Sequence, residues 1–108
     1  MFDTTDWCSS GMYPSLVAVD RPVMVDGLQA FFGAGGGLMS GVPLGVRSGG
    51  LRVEPWMPGR QHLWLRVRDG SWLAGVELEA HSGNGTSHLR MQLWLPPKAF
   101  ILDADHRP

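Results

Sequence analysis

Residues 61–95 restrict the fold of this chain more than any other stretch. His62 to Arg68 alternates strictly, with Leu63, Leu65 and Val67 on one side, the period-two pattern of a half-buried strand. Asp69-Gly70 follows, a dipeptide that tolerates positive φ at both central positions of a type I′ hairpin turn. A two-residue loop of that type sets a register in which Val67 faces Trp72, Leu65 faces Ala74 and Leu63 faces Val76. All of these side chains are apolar, so turn chemistry and side-chain period agree. The second strand continues through Leu78 and Ala80 to the turn cluster Ser82-Gly83-Asn84-Gly85, residues that favour turns through positive φ or local hydrogen bonds. The third strand runs from His88 to Leu95, with Leu89, Met91, Leu93 and Leu95 on one side. Its turn centres on Gly83-Asn84 or on Asn84-Gly85, and both choices keep the apolar residues on one face.

The reverse face of this meander is expected to carry His62, Trp64, Arg66 and Arg68, then Leu73, Gly75, Glu77 and Glu79, then His88, Arg90, Gln92 and Trp94. With Asn84-Gly85 as the turn, Gly75 lies between Trp64 and Trp94. Two indoles would then cover a residue that has no side chain. His62, Glu77 and Gln92 form the next row, and Glu79 faces Arg90. Three uses of such a face are open. The N-terminal half covers it and closes a sandwich or barrel; or it is a self-association surface, since aromatics and Arg are enriched at interfaces; or it is a groove for a ligand or peptide.

A chain of 108 residues, 44% apolar and 18% charged, is read as one folded domain, 1–108. Fifteen glycines and eight prolines favour turns and short strands over long helices. The expected fold class is therefore all-β: a small antiparallel barrel or sandwich, with an N-terminal arm over 1–13, N-terminal hairpins, the core meander over 61–103 and a tail over 104–108. A net charge of −1 argues against a dedicated nucleic-acid-binding domain, although five arginines fall between Arg47 and Arg68 against Glu54. Cys8 is the sole cysteine, and no cationic leader precedes it; both point to a reducing cytoplasm.

Ahead of the meander, Leu16–Val19 and Val23–Val25 read as a hairpin joined by Asp20-Arg21-Pro22, with Pro22 opening its second strand. Leu28 to Phe32 is either a helical turn capped by Asp26 or a strand after an Asp26-Gly27 turn, and we take the strand. Gly27 to Val46 is uncharged, but its seven glycines and Pro43 make it a poor membrane span. Gly33 to Gly37 lacks the Gly-Lys-Ser/Thr that a phosphate loop needs. Val42, Leu44 and Val46 alternate as an edge strand, and Leu51 and Val53 as its return. Pro55 to Gly59 breaks the chain before the meander; Pro96-Pro97 stops the third strand, and Ala99 to Leu102 forms a last short one.

Chemistry-bearing patterns are few. His62 opposite Glu77 is the best acid–base pair, because a carboxylate fixes an imidazole tautomer and raises its pKa; an ordinary cross-strand pair is the commoner use of such neighbours. Asp103, Asp105 and His106 form a metal-like cluster in a tail, with no second ligand group nearby in sequence. No serine sits in a nucleophile-elbow pattern, and Cys8 has no local activating partner. The expectation is a protein that is not an enzyme and has no cofactor.

The stretch Asp69-Gly70-Ser71-Trp72-Leu73-Ala74-Gly75-Val76, followed later by Trp94-Leu95-Pro96-Pro97-Lys98-Ala99-Phe100, resembles the middle of an SH3-like barrel of the Tudor type, over residues 61–103. That resemblance implies a small barrel binding peptides, modified side chains or nucleic acid through aromatics, with Trp64 and Trp94 as a cage-like pair; further cage aromatics have no counterpart here. Fold analogy is associational for function. The reading reached is a non-enzymatic interaction module. It presents Trp64, Trp94, Gly75, Arg66, Arg90, His62 and Glu77 to a protein partner or to a second copy of itself as a homodimer. The alternatives are a barrel holding a small apolar molecule, with cyclase or isomerase chemistry, and nucleic-acid binding through the arginine stripe. No membrane is involved in any of the three.

Overall fold

The computed structural model describes residues 2–9, 11–32 and 41–103. Its strands are β1 (Leu16–Val25), β2 (Met57–Arg66), β3 (Trp72–His81), β4 (His88–Leu95) and β5 (Phe100–Leu102); its helices are α1 (Gly27–Phe32) and α2 (Leu44–Gly49). The strands form one antiparallel five-stranded sheet in the order β4-β3-β2-β1-β5. The all-β class expected from the sequence is the observed one. The sheet is not closed, however, so in place of a barrel there is an open sheet with β4 and β5 at its edges.

The β3–β4 hairpin has the register that an Asn84-Gly85 turn requires: Gly75 faces Trp94, Glu77 faces Gln92 and Glu79 faces Arg90. Asn84 Oδ1 accepts from the hydroxyls of Ser82 (2.6 Å) and Thr86 (2.8 Å), and Gly85 takes up the positive φ of 77°.

The β2–β3 hairpin departs from expectation by one residue. A type I′ turn needs positive φ at both Asp69 and Gly70, but only Gly70 has it, at 94°. The Val67 N–H donates to Ser71 O (2.7 Å) and the Gly70 N–H to Val67 O (2.9 Å). This is a turn over Val67 to Gly70 closed by a glycine bulge, a three-residue loop. Asp69 Oδ1 stabilises it by accepting from the Ser71 N–H and hydroxyl. The extra loop residue pairs Leu65 with Leu73, Trp64 with Ala74 and Leu63 with Gly75. Since a one-residue slip exchanges faces, Leu63 and Leu65 leave the face expected for them and Trp64 takes their place. A bulge at His62 then restores phase, so that Gln61 faces Val76 and Gly59 faces Leu78.

Four further expectations are corrected. Residues 16–25 are one strand, irregular between Ala18 and Arg21, not a hairpin. Pro22 is tolerated because β5 pairs only with Val23 to Val25, leaving no ladder partner on that side to miss its N–H. Leu28 to Phe32 is helical: Asp26 Oδ1 accepts from the N–H groups of Leu28 and Gln29, both at 3.2 Å, the side-chain cap of a helix start. Residues 44–49 form α2 instead of an edge strand, and Leu51 makes only a single bridge, to Ser82. Finally β2 begins at Met57, inside the Pro55–Gly59 segment expected to interrupt the chain.

The core lies on one side, the inner face, where Val23, Val25, Met57, Ala74, Val76, Leu78, Ala80 and Leu95 are buried with Ala99 and Phe100. Ala30 and Phe31 of α1 pack onto it, which explains the helix: six residues cannot hold a helix by themselves, but an amphipathic turn docked on apolar surface can. On the outer face the N-terminal arm docks through its aromatics. The Phe2 ring meets Trp94 edge-on, with centroids 4.9 Å apart, and Trp7 Nε1 donates to Ser15 Oγ at 3.1 Å.

Candidate binding site

The slipped register decides which aromatics come together. Trp64 and Trp94 do not form a pair: Trp64 faces Ala74 on the inner side, and Trp94 faces Gly75 on the outer side. Gly75 is buried between Leu63 and Trp94, and a Cβ there would lie 3.0 Å from Leu63 Cδ1 and 3.3 Å from Phe2 Cε1. The glycine thus admits Leu63 and the arm in place of a second indole.

The inner face is covered over its middle by α1, the 3₁₀ turn Pro97–Ala99 and the inward Phe100 side chain of the edge strand β5. It is uncovered towards the 67–71 loop. There Trp64, Trp72, Val17 and Pro97 line an apolar pocket of about 270 Å³. The floor comes from β-register: Val17 faces Trp64 across β1–β2, and Arg66 faces Trp72 across β2–β3. Each indole carries a guanidinium. Arg66 Cζ stands 5.1 Å from the Trp72 ring centroid and Arg21 Cζ 5.7 Å from that of Trp64, both within cation–π range. The Trp64 ring is backed by Phe100 at 5.9 Å.

Arg21 is held from below by Gln61, which is fully buried. Gln61 Oε1 accepts from Arg21 Nε at 2.7 Å, and Gln61 Nε2 donates to the Leu63 carbonyl at 3.1 Å, next to the bulge. Backbone irregularity, buried amide and surface cation are thus connected in series. Ion pairs among the described residues join Arg52 to Glu54, Arg60 to Asp20, His62 to Glu77, His88 to Glu79 and Arg90 to Glu77. Arg21 and Arg66 take part in none of them.

Of the residues expected to bind, Trp64 and Arg66 are at this pocket. Trp94, Gly75, His62, Glu77 and Arg90 are on the opposite face. Sequence reasoning misses Arg21, Gln61, Trp72, Val17 and Pro97 as site residues; it puts Arg21 in a hairpin connection and Trp72 on the core face. Sequence spacing gives no signal for Arg21, because its pairing with Gln61 spans a strand contact set by two irregular registers.

On the outer face, His62 Nε2 is 3.9 Å from Glu77 Oε1, and Arg90 Nε is 3.7 Å from the same oxygen. His62 Nε2 is buried and makes no hydrogen bond. The separation exceeds the hydrogen-bond reach of an acid–base relay, about 2.6–3.2 Å, and nothing in the arrangement indicates catalysis. The arginines from Arg47 to Arg68 do not line up as a stripe, since Arg60 and Arg66 project from opposite faces and Arg52 and Arg60 are ion-paired. Among the described residues no His, Cys, Asp and Glu cluster could hold a metal, and no helix is long and apolar enough to cross a membrane. The Asp105 and His106 of the metal-like cluster lie outside the described residues, as does the glycine run 33–37. No protein-family model matches the chain, and no curated protein or solved structure gives a significant match.

Proposed function

We propose that this chain is a non-enzymatic interaction module that receives an apolar side chain of a protein partner in the Trp64/Trp72 pocket, with flanking carboxylates of that partner on Arg21 and Arg66. The observation that carries it is the pair of indoles, each under a guanidinium, around an apolar opening. Trp and Arg are the residues most enriched at energetically dominant interface positions. Neither guanidinium has an intramolecular carboxylate among the described residues, so an acidic partner would supply the missing counter-charge.

Size favours a side chain over a free small molecule. The pocket's 270 Å³ falls just below the roughly 300–1,000 Å³ of sites that enclose drug-sized ligands. The exposed single cysteine, Cys8, fits action in a reducing compartment.

Selection from a random peptide display library against the full chain tests the reading. The expected enrichment is an apolar or aromatic anchor flanked by Asp or Glu, with affinity falling as salt rises. Trp72→Ala and Arg66→Ala each abolish most of the binding with an unchanged circular dichroism spectrum. Peptides without acidic flanks, or binding indifferent to Trp72→Ala, would refute it. Saturable uptake of an uncharged apolar dye in preference to any peptide would favour the small-molecule alternative.

A further inference from the structure

The sheet's two edges are built differently. At the β1/β5 edge, β5 has only three residues, Phe100–Leu102, and the exposed length of β1 carries Pro22 and the irregularity between Ala18 and Arg21. Short strands, prolines and bulges are among the devices that stop an edge from pairing with another chain, as are edge charges, of which β4 carries Arg90. The β4 edge has none of the first three. It runs eight residues from His88 to Leu95 without proline or bulge, and its register with β3 is unbroken.

Its free groups can be named. The Ser82 N–H donates to Ser87 O at 2.9 Å, which makes Ser82–Ser87 a hydrogen-bonded pair. Alternation along an antiparallel ladder then turns Leu89, Met91, Leu93 and Leu95 towards β3. His88, Arg90, Gln92 and Trp94 aim their N–H and C=O groups outward, where no described strand lies. Pro96 follows and ends the run.

We infer that β4 pairs antiparallel with β4 of a second copy, about a twofold axis through Gln92, to form one continuous sheet across a dimer. A twofold axis normal to the sheet keeps each residue opposite one from its own face, so the register must centre on a residue. Centring on Gln92 places Arg90 opposite Trp94 of the partner subunit, Met91 opposite its Leu93 and Leu89 opposite its Leu95. Charge complementarity selects this register: a guanidinium meets an indole, Gln92 meets an uncharged amide, and the two Arg90 side chains stay apart. Centring on Met91 instead brings the two Arg90 side chains diagonally close, where like charges disfavour pairing. The chosen register also shelters Leu89, a leucine left 56% exposed in the single chain. Because the other edge is guarded, assembly closes at two copies.

Sedimentation of the full chain over a concentration series reads this directly. The expected mass rises from 11.8 kDa to twice that value, and Trp72→Ala leaves the mass curve unchanged. Gln92→Lys alone and Gln92→Glu alone remain monomeric through like charge on the axis, and an equimolar mixture of the two regains the doubled mass. Gln92→Pro, which removes an outward N–H that β3 does not use, is also monomeric; should it fail to fold, the charge pair decides. A wild-type chain that stays monomeric at the highest attainable concentration overturns the proposal. So do single charge variants that dimerise like the wild type, or wild-type assembly that grows beyond two copies.

Discussion

Replacing Gln61 by leucine tests the linkage between the β2 bulge and the pocket. The side chain is fully buried, and leucine fills a similar volume, so packing changes little. Two hydrogen bonds are lost: the one accepted from Arg21 Nε at 2.7 Å and the one donated to the Leu63 carbonyl at 3.1 Å. Arg21 is only half-buried and recovers water, so the loss on that side is modest. The Leu63 carbonyl belongs to a buried residue and loses its partner, and an unsatisfied buried acceptor costs about 1–3 kcal/mol. Together the expected destabilisation is about 2–4 kcal/mol, which lowers the thermal midpoint by roughly 10–20 °C in a domain of this size. Urea unfolding followed by circular dichroism measures the stability. A double-mutant cycle with Arg21→Met isolates the Arg21–Gln61 coupling, which should account for the smaller share. Release of Arg21 from Trp64 should also weaken peptide binding at the pocket beyond what the stability loss explains. A stability change under about 0.5 kcal/mol, the range of neutral surface substitutions, would refute the reasoning, because it would mean that water or a backbone shift satisfies the bulge without the amide.

Three further outcomes follow from other parts of the molecule. Phe2→Ala should destabilise by about 1–2 kcal/mol through lost edge-to-face contact and apolar burial, and the Trp94 fluorescence should shift to the red; an unchanged spectrum would mean that the arm does not rest there. Gly83→Ala puts a Cβ 2.1 Å from the Arg47 carbonyl, so α2 must move off the β3–β4 turn; limited proteolysis should then cut near residues 44–49 much faster, at a cost of about 1–3 kcal/mol. Asp69 is held below its ordinary value of 3.8 by the Ser71 hydroxyl first and the Ser71 N–H second. A carboxyl depressed in the folded state stabilises above its unfolded value and loses that contribution as pH falls through the folded one. Thermal midpoints between roughly pH 5 and pH 2 should therefore fall less steeply in Asp69→Asn than in the wild type, and equal slopes would disprove the assignment.

Much of the meander was readable from residue type alone. The limits of β4, the face its apolar residues share and the position of both turns to within a residue follow from alternation, from the turn clusters at Asp69-Gly70 and Ser82–Gly85, and from the proline pair that ends the third strand. These are local preferences, each decided within a few residues. The choice between the two β3–β4 registers came from the structure.

The rest depended on contacts between distant segments. Asp-Gly fits two hairpin loops, and the choice between them adds one residue. That residue decides whether Trp64 shares a face with Trp94 or with Trp72. It is settled by the core: with Trp64 turned inward its ring packs against Phe100, while Leu63 fits the space over Gly75. A bulge at His62 then returns Gln61 and Gly59 to phase with Val76 and Leu78. The six-residue helices likewise exist only through what they touch, α1 on the core and α2 on the β3–β4 turn, because segments so short have no helical stability of their own. Sequence by itself determined that antiparallel strands would turn at 69–70 and within 83–85. Tertiary packing decided which side chains face one another across them, and with that, which aromatics make a pocket.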